Sequence, residues 1–192
     1  SKIPQEEVYI IYYGTDIHFY TPGNAPREDY VVWLANPSLF KGLGNTLKAC
    51  KIAGVHLKVI FPHGSNPDHA KLAAQYTEII QNEKYDAEIV YIPLDSHYHE
   101  VKRELLRRAK CMMFLPDSHE PFGLCVVESL ACGTPVIVNR MGGLPEIVKS
   151  EVNGYVVEAD ERVAESAAEA YSKIDKIHTE VCREDVVARF SM

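Results

Sequence analysis

The sequence predicts an α/β protein built on a doubly wound, mostly parallel sheet. Three observations carry that expectation. Short apolar runs recur along the whole chain, and several are continuous rather than alternating, as in strands buried on both faces. Segments of helical length separate them. The 192 residues are 46% hydrophobic and 24% charged, enough apolar material for a sizeable core.

Taken in order, the expected strands are VYIIYY (8–13), YVVWLA (30–35), HLKVIF (56–61), AEIVYI (87–92), CMMFL (111–115), PVIVN (135–139) and GYVV (154–157). Each run is short, rich in β-branched or aromatic residues, and bounded by turn formers or charge. The expected helices are 41–53, 68–83, 98–109, 123–132 and the region after Asp160. PHGSNPD (62–68) reads as a turn-rich loop. In such sheets ligands lie beyond the carboxyl ends of the strands. That draws attention to NPSLFKG (36–42), PLDSHYH (93–99) and PDSHEPFG (116–123).

Bulk properties narrow the function. A net charge of -7 argues against a general nucleic-acid binder while leaving room for a local phosphate site. Five cysteines, none in a Cys-x-x-Cys pair, form no disulfide framework and suggest a reducing, cytoplasmic setting. No apolar run reaches the length of a membrane span.

HEPFGLCVVESLACGTPV (119–136) raises the sharpest question. A helix starting near Gly123 presents unpaired N–H groups and partial positive charge to an anion. Glu128 lies roughly 7 Å further along that helix. It sits among Leu124, Ala131 and Cys132, where a carboxylate needs a partner. Glu120 stands at the mouth of the helix. A ligand with phosphate in the middle and hydroxyls at both ends fits all three features, and a nucleotide sugar has that layout. The plain alternative is an exposed Glu120 and a Glu128 that neutralises a buried arginine.

The stretch 114–157 resembles the donor-binding half of family 4 retaining glycosyltransferases. These have the two-domain GT-B architecture, each half Rossmann-like. Glu120 and Glu128 fit the family's Glu-x7-Glu signature, with Phe122, Gly123, Leu124, Gly133, Pro135 and Val136 around it. Ser129 replaces the usual alanine. The likeness extends to 2–22, which is similar to the segment joining the two domains, and to 30–42. It covers almost the whole chain but only the second half of a complete enzyme. The implied organisation is a C-terminal nucleotide-sugar-binding domain over 1–192. Within it, 1–29 supply the interdomain segment and first strand, and 160–192 the C-terminal helices. The N-terminal acceptor domain lies outside the chain, and both ends are expected to continue in a longer protein.

The resemblance implies roles. Glu120 holds hydroxyls of the transferred sugar and Glu128 the ribose. Pro121, Phe122, Gly123 and Leu124 form the turn whose amides face sugar and phosphates. Lys41 contacts the diphosphate and offsets leaving-group charge. Tyr91, Ile92, Pro93 and Leu94 mark the strand end where the base packs. The family usually has an arginine where this chain has Asn36, so a bidentate phosphate clamp is lost. Arg140 is a candidate substitute, although a surface role suits it better. The implied reaction moves a hexosyl unit from a nucleotide-diphosphate sugar to an acceptor hydroxyl with retention, without metal or other cofactor. Membrane contact is expected only through the absent part.

Two other readings belong beside this one. A non-catalytic sugar-nucleotide-binding module or degenerate transferase is kept open by Asn36. A sugar-nucleotide epimerase shares the GT-B architecture without the full Glu-x7-Glu context. His97 and His99 are not supported as a metal pair by any carboxylate or cysteine cluster. RVAESAAEAYSKIDKIHTEV (162–181) reads as a solvated surface helix pair.

Overall fold

The computed structural model describes residues 11–36, 38–63 and 67–191. Its strands are β1 (Tyr30–Leu34), β2 (His56–His63), β3 (Ala87–Pro93), β4 (Cys111–Phe114), β5 (Val136–Asn139) and β6 (Gly154–Val157). They form one sheet in the order β3-β2-β1-β4-β5-β6, and every pairing is parallel. Val31 pairs with Leu57 on one side and Cys111 on the other. The expected doubly wound, Rossmann-like fold is therefore present, with its switch point between β1 and β4.

The apolar runs explain the layering. β1, β4 and β5 are buried along their whole lengths, as central strands of a two-faced parallel sheet must be. The edge strand β3 is mostly half-exposed and mixes Glu88 with its apolar residues. The helices are α1 (Leu43–Ala53), α2 (Pro67–Asn82), α3 (Tyr98–Arg108), α4 (Leu124–Ala131), α5 (Leu144–Ile147), α6 (Val163–Tyr171) and α7 (Thr179–Phe190). Right-handed crossovers running in opposite directions from the switch point put α1 and α2 on one face and α3 and α4 on the other. α6 then packs on α1, and α7 on α4. Trp33, Phe61, Phe114, Met112 and Met113 fill the centre.

Several expectations need correction. The predicted strand over 8–13 lies outside the described residues at 8–10, and residues 11–13 are not in a strand. Tyr12 and Tyr13 instead pack on the Phe122 ring, and Tyr12 also meets Phe190 edge-on. An aromatic run thus served ring packing rather than a ladder. The loop read over 62–68 is partly regular: β2 runs through His63 and α2 begins at Pro67. Residues 64–66 lie outside the described residues. The pair of helices read as solvated packs on the core instead, and α7 buries Cys182, Val186 and Phe190. α6 buries Val163, Ala164, Ala167, Ala168 and Ala170, because small side chains let it lie close on α1.

Candidate functional site

Two loops at the switch point carry the site. After β1 the chain passes Asn36 into a tight 3-10 turn, Leu39–Lys41, where the Phe40 amide donates to Ser38 Oγ at 3.3 Å. The turn is fixed from below. The buried Trp33 indole donates to the Lys41 carbonyl at 3.2 Å, and the Asp117 amide donates to the Phe40 carbonyl at 3.0 Å. Lys41 is thus presented at the carboxyl edge of the sheet by the backbone on both sides of it.

The β4–α4 loop brings Glu120. Its backbone carbonyl accepts from the Gly143 amide at 2.8 Å. Gly142 makes that approach feasible: at φ 59°, a Cβ there would lie 2.1 Å from the Glu120 carbonyl oxygen. α4 then starts after Gly123, which takes φ 99° and provides no side-chain cap. The first amides of α4 therefore have no capping side chain, an arrangement that suits an anion.

Two ion pairs dominate the chemistry. Lys41 Nζ donates to Glu120 Oε2 at 2.7 Å, with both side chains at the partly open mouth. Lys102 Nζ donates to Glu128 Oε1 at 2.8 Å, and here both side chains are buried. Glu128 therefore has the partner that its burial demands, and that partner is Lys102 of α3 rather than an arginine. The ammonium of Lys102 lies 5.2 Å from the Tyr20 ring centre and 5.3 Å from that of Tyr98. Burial first, and then the Glu128 charge, push the Tyr98 phenol up to about 12 and the Tyr20 phenol higher still. The Tyr20 hydroxyl and His99 Nδ1 share a 3.0 Å hydrogen bond.

A cavity of about 220 Å³ joins these groups. Asn36, Lys41, Glu120, Gly123, Leu124 and Glu128, all anticipated from sequence, line it together with Lys102, Tyr98 and Cys125. Burial, followed by the charges of Glu128 and Glu120, pushes the Cys125 thiol up to about 12, which favours the protonated thiol. Leu124 and Glu128 also border a second cavity of about 460 Å³, walled by Thr15, Phe19, Tyr20, Ser96 and His99.

The remaining anticipated residues fall elsewhere. Pro121 is exposed, and Phe122 is buried among Tyr12, Tyr13 and Phe190. Ile92 is buried in β3, while Tyr91, Pro93 and Leu94 are exposed at its carboxyl end, and none of the four lines either cavity. Arg140 is exposed and pairs with Glu158 at 2.9 Å, so it is not the missing phosphate clamp. His97 neighbours Ser96 and Asp95, whereas His99 turns to Tyr20. Among the described residues no three His, Cys, Asp or Glu side chains gather to hold a metal ion, and no helix is long and apolar enough to cross a membrane.

Sequence analysis missed Lys102. The available signal was its position four residues before the buried Leu106 and four after Tyr98, on the inward stripe of α3.

The chain is similar to known proteins in sequence and in fold. Residues 41–179 match the family described as glycosyl transferases group 1. A D-inositol 3-phosphate glycosyltransferase of Mycobacterium sp. (strain KMS) is 31% identical over 166 residues, covering 78% of this chain and 35% of that protein. The chain thus spans about a third of the length of such curated relatives. Sucrose-phosphate synthase from Thermosynechococcus elongatus superimposes with TM-score 0.77 at 24% identity, over 93% of this chain and 47% of that one. HepE of Anabaena, in complex with UDP and glucose, gives TM-score 0.77 at 19% identity, over 98% and 54%. The C-terminal domain of a group 1 glycosyl transferase from Francisella tularensis gives 0.72 at 17%, over 93% and 100%.

Proposed function

The chain belongs to the glycosyl transferases group 1 family, and from that premise we propose that it is the donor-binding half of a retaining glycosyltransferase. The enzyme would be of the family 4 type, moving a hexosyl unit from a nucleotide-diphosphate sugar to an acceptor hydroxyl. The observation that carries this reading is the alignment of Lys41–Glu120, the start of α4 and Glu128 along one cavity at the β1/β4 switch point. Likeness in fold to a chain that is itself a C-terminal domain supports reading this one as the C-terminal half, with 1–29 as the interdomain segment. The acceptor would be bound by an N-terminal half.

In this reading two ion pairs neutralise the site, and the ligand displaces Lys41 from Glu120 while the buried Lys102–Glu128 pair persists. The diphosphate takes Lys41 and the α4 amides. Glu120, released from Lys41, accepts hydrogen bonds from hydroxyls of the transferred sugar. Glu128 accepts from the ribose. As the sugar–phosphate bond breaks, its electron pair stays on the diphosphate, and Lys41 with the helix terminus stabilises that charge. The acceptor oxygen bonds to the anomeric carbon from the same face, and its proton passes to the departing diphosphate oxygen. Positive charge from Lys41 and backbone is why we read the transfer as metal-independent. Five free thiols favour a reducing, cytoplasmic compartment.

Saturation-transfer NMR of the chain against a panel of nucleotide sugars tests this. At least one should give contacts to ribose and hexose protons, and silence across the panel would sink the proposal. Asn36, at the cavity where an arginine clamp is usual, favours a second reading as a non-catalytic sugar-nucleotide module. Donor hydrolysis by the full-length protein separates the two.

A further inference from the structure

The Lys102–Glu128 pair is an unusual thing to bury beside a ligand cavity. Both side chains are under one-tenth exposed, and each would be costly alone. The Lys102 ammonium also lies near the faces of the Tyr20 and Tyr98 rings. It uses one lone-pair position of Glu128 Oε1 at 2.8 Å. A carboxylate offers about four such positions over its two oxygens. Capacity for two further donors remains, and Glu128 borders both cavities, where a ligand approaches.

We propose that Lys102 is a positioning residue that gives this site its preference for ribose over deoxyribose. It holds Glu128 as a charged, oriented acceptor for the 2′ and 3′ hydroxyls. The inference rests on the nucleotide-sugar reading of the cavity. Its logic is that a charged carboxylate only accepts, and a ribose diol donates twice. A sugar lacking those hydroxyls leaves a buried charge under-satisfied, which is the strongest form of discrimination a site can build. Without Lys102, the Glu128 carboxylate would lose the contact that fixes its orientation, and the preference would be blunted. Lys102 itself touches Glu128 and the rings, so its effect is transmitted through the carboxylate.

The test measures binding of UDP and 2′,3′-dideoxy-UDP to the wild-type chain and to Lys102→Met, with affinity taken per folded molecule. Wild type should prefer UDP by about tenfold or more. Lys102→Met should bring the ratio below roughly threefold, and Lys102→Arg, which keeps a cation beside Glu128, should largely restore it. Should Lys102→Met not fold, Lys102→Gln keeps a donor without the charge and should at least halve the logarithm of the preference. A folded Lys102→Met or Lys102→Gln chain with undiminished preference overturns the proposal and leaves Lys102 a structural counterion. Equal weakening of both nucleotides also overturns it, placing Lys102 on the phosphates. A wild type that binds UDP without preferring it over the dideoxy form refutes the role of Glu128. A wild type that binds neither UDP, GDP nor ADP refutes the cavity reading itself.

Discussion

Asn36 is the residue whose chemistry fits the site least well. It lines the cavity beside Lys41, at a place where a guanidinium would reach a diphosphate with two parallel hydrogen bonds. Lys41 is a point charge and is already engaged by Glu120. Asn36→Arg should therefore tighten UDP binding by about 1.5–3 kcal/mol, the range for hydrogen bonds to charged groups. Isothermal calorimetry reads this directly. No gain in a folded variant would mean that the phosphates lie away from the β1–α1 turn.

At the scale of elements, the two glycines after β5 matter because they hold Glu120 from behind. A methyl at Gly142 meets the Glu120 backbone, and φ 59° is strained for any other residue. Gly142→Ala should cost about 2–4 kcal/mol of stability. It should also weaken a nucleotide sugar more than the bare nucleotide, given the proposed role of Glu120 at the sugar end. Calorimetry beside thermal melts checks both halves. Equal weakening of the two ligands would detach the glycine loop from the sugar site.

Helix α7 carries a second device. Asp185 accepts hydrogen bonds from Lys149, Asn153 and Arg189, tying α7 to the loop before β6. Burial alone would raise its pKa, but the hydrogen bonds and charges of Arg189 and Lys149 outweigh burial and hold it below the usual range. A depressed carboxylate stabilises the fold above its unfolded pKa of about 3.9, and that contribution is lost as pH falls through the lower folded value. Asp185→Asn should lower stability at pH 7 and flatten the acid-side decline below about pH 4. Denaturant titrations at pH 7 and in the acid range report it.

What was legible at this scale follows from burial. β1, β4 and β5 announced themselves as continuous apolar runs because a two-faced sheet leaves no polar side to show. The Glu120–Glu128 spacing was visible because α4 is otherwise apolar. Lys102 was hidden because α3 is a highly charged helix, YHEVKRELLRR, in which one more lysine looks solvated. Only tertiary packing against α4 turns it inward. Tyr12 and Tyr13 misled in the opposite sense, since aromatic runs serve ring clusters as readily as strands.

The whole molecule is one wall of a reaction chamber in this account. Phosphate, ribose and hexose groups meet at the carboxyl edge of a single sheet. Transfer needs an acceptor held against the anomeric carbon and water kept away, which requires a closed cleft. The 192-residue chain should therefore bind donor weakly and transfer nothing to added acceptors. Measurable glycoside formation by the purified chain would show that this half alone serves both substrates.

The central claim is that two carboxylates divide one ligand between them, and a paired titration tests it most directly. Wild type, Glu120→Gln and Glu128→Gln are each titrated with UDP and with UDP-glucose by calorimetry, alongside a melting curve for each. The account predicts that Glu128→Gln weakens both ligands by roughly 1.5–3 kcal/mol, the scale of a hydrogen bond to a charged group. Glu120→Gln should leave UDP nearly untouched and weaken UDP-glucose alone. If Glu128→Gln instead lowers only the melting temperature, or both variants lose both ligands equally, the division of labour is contradicted.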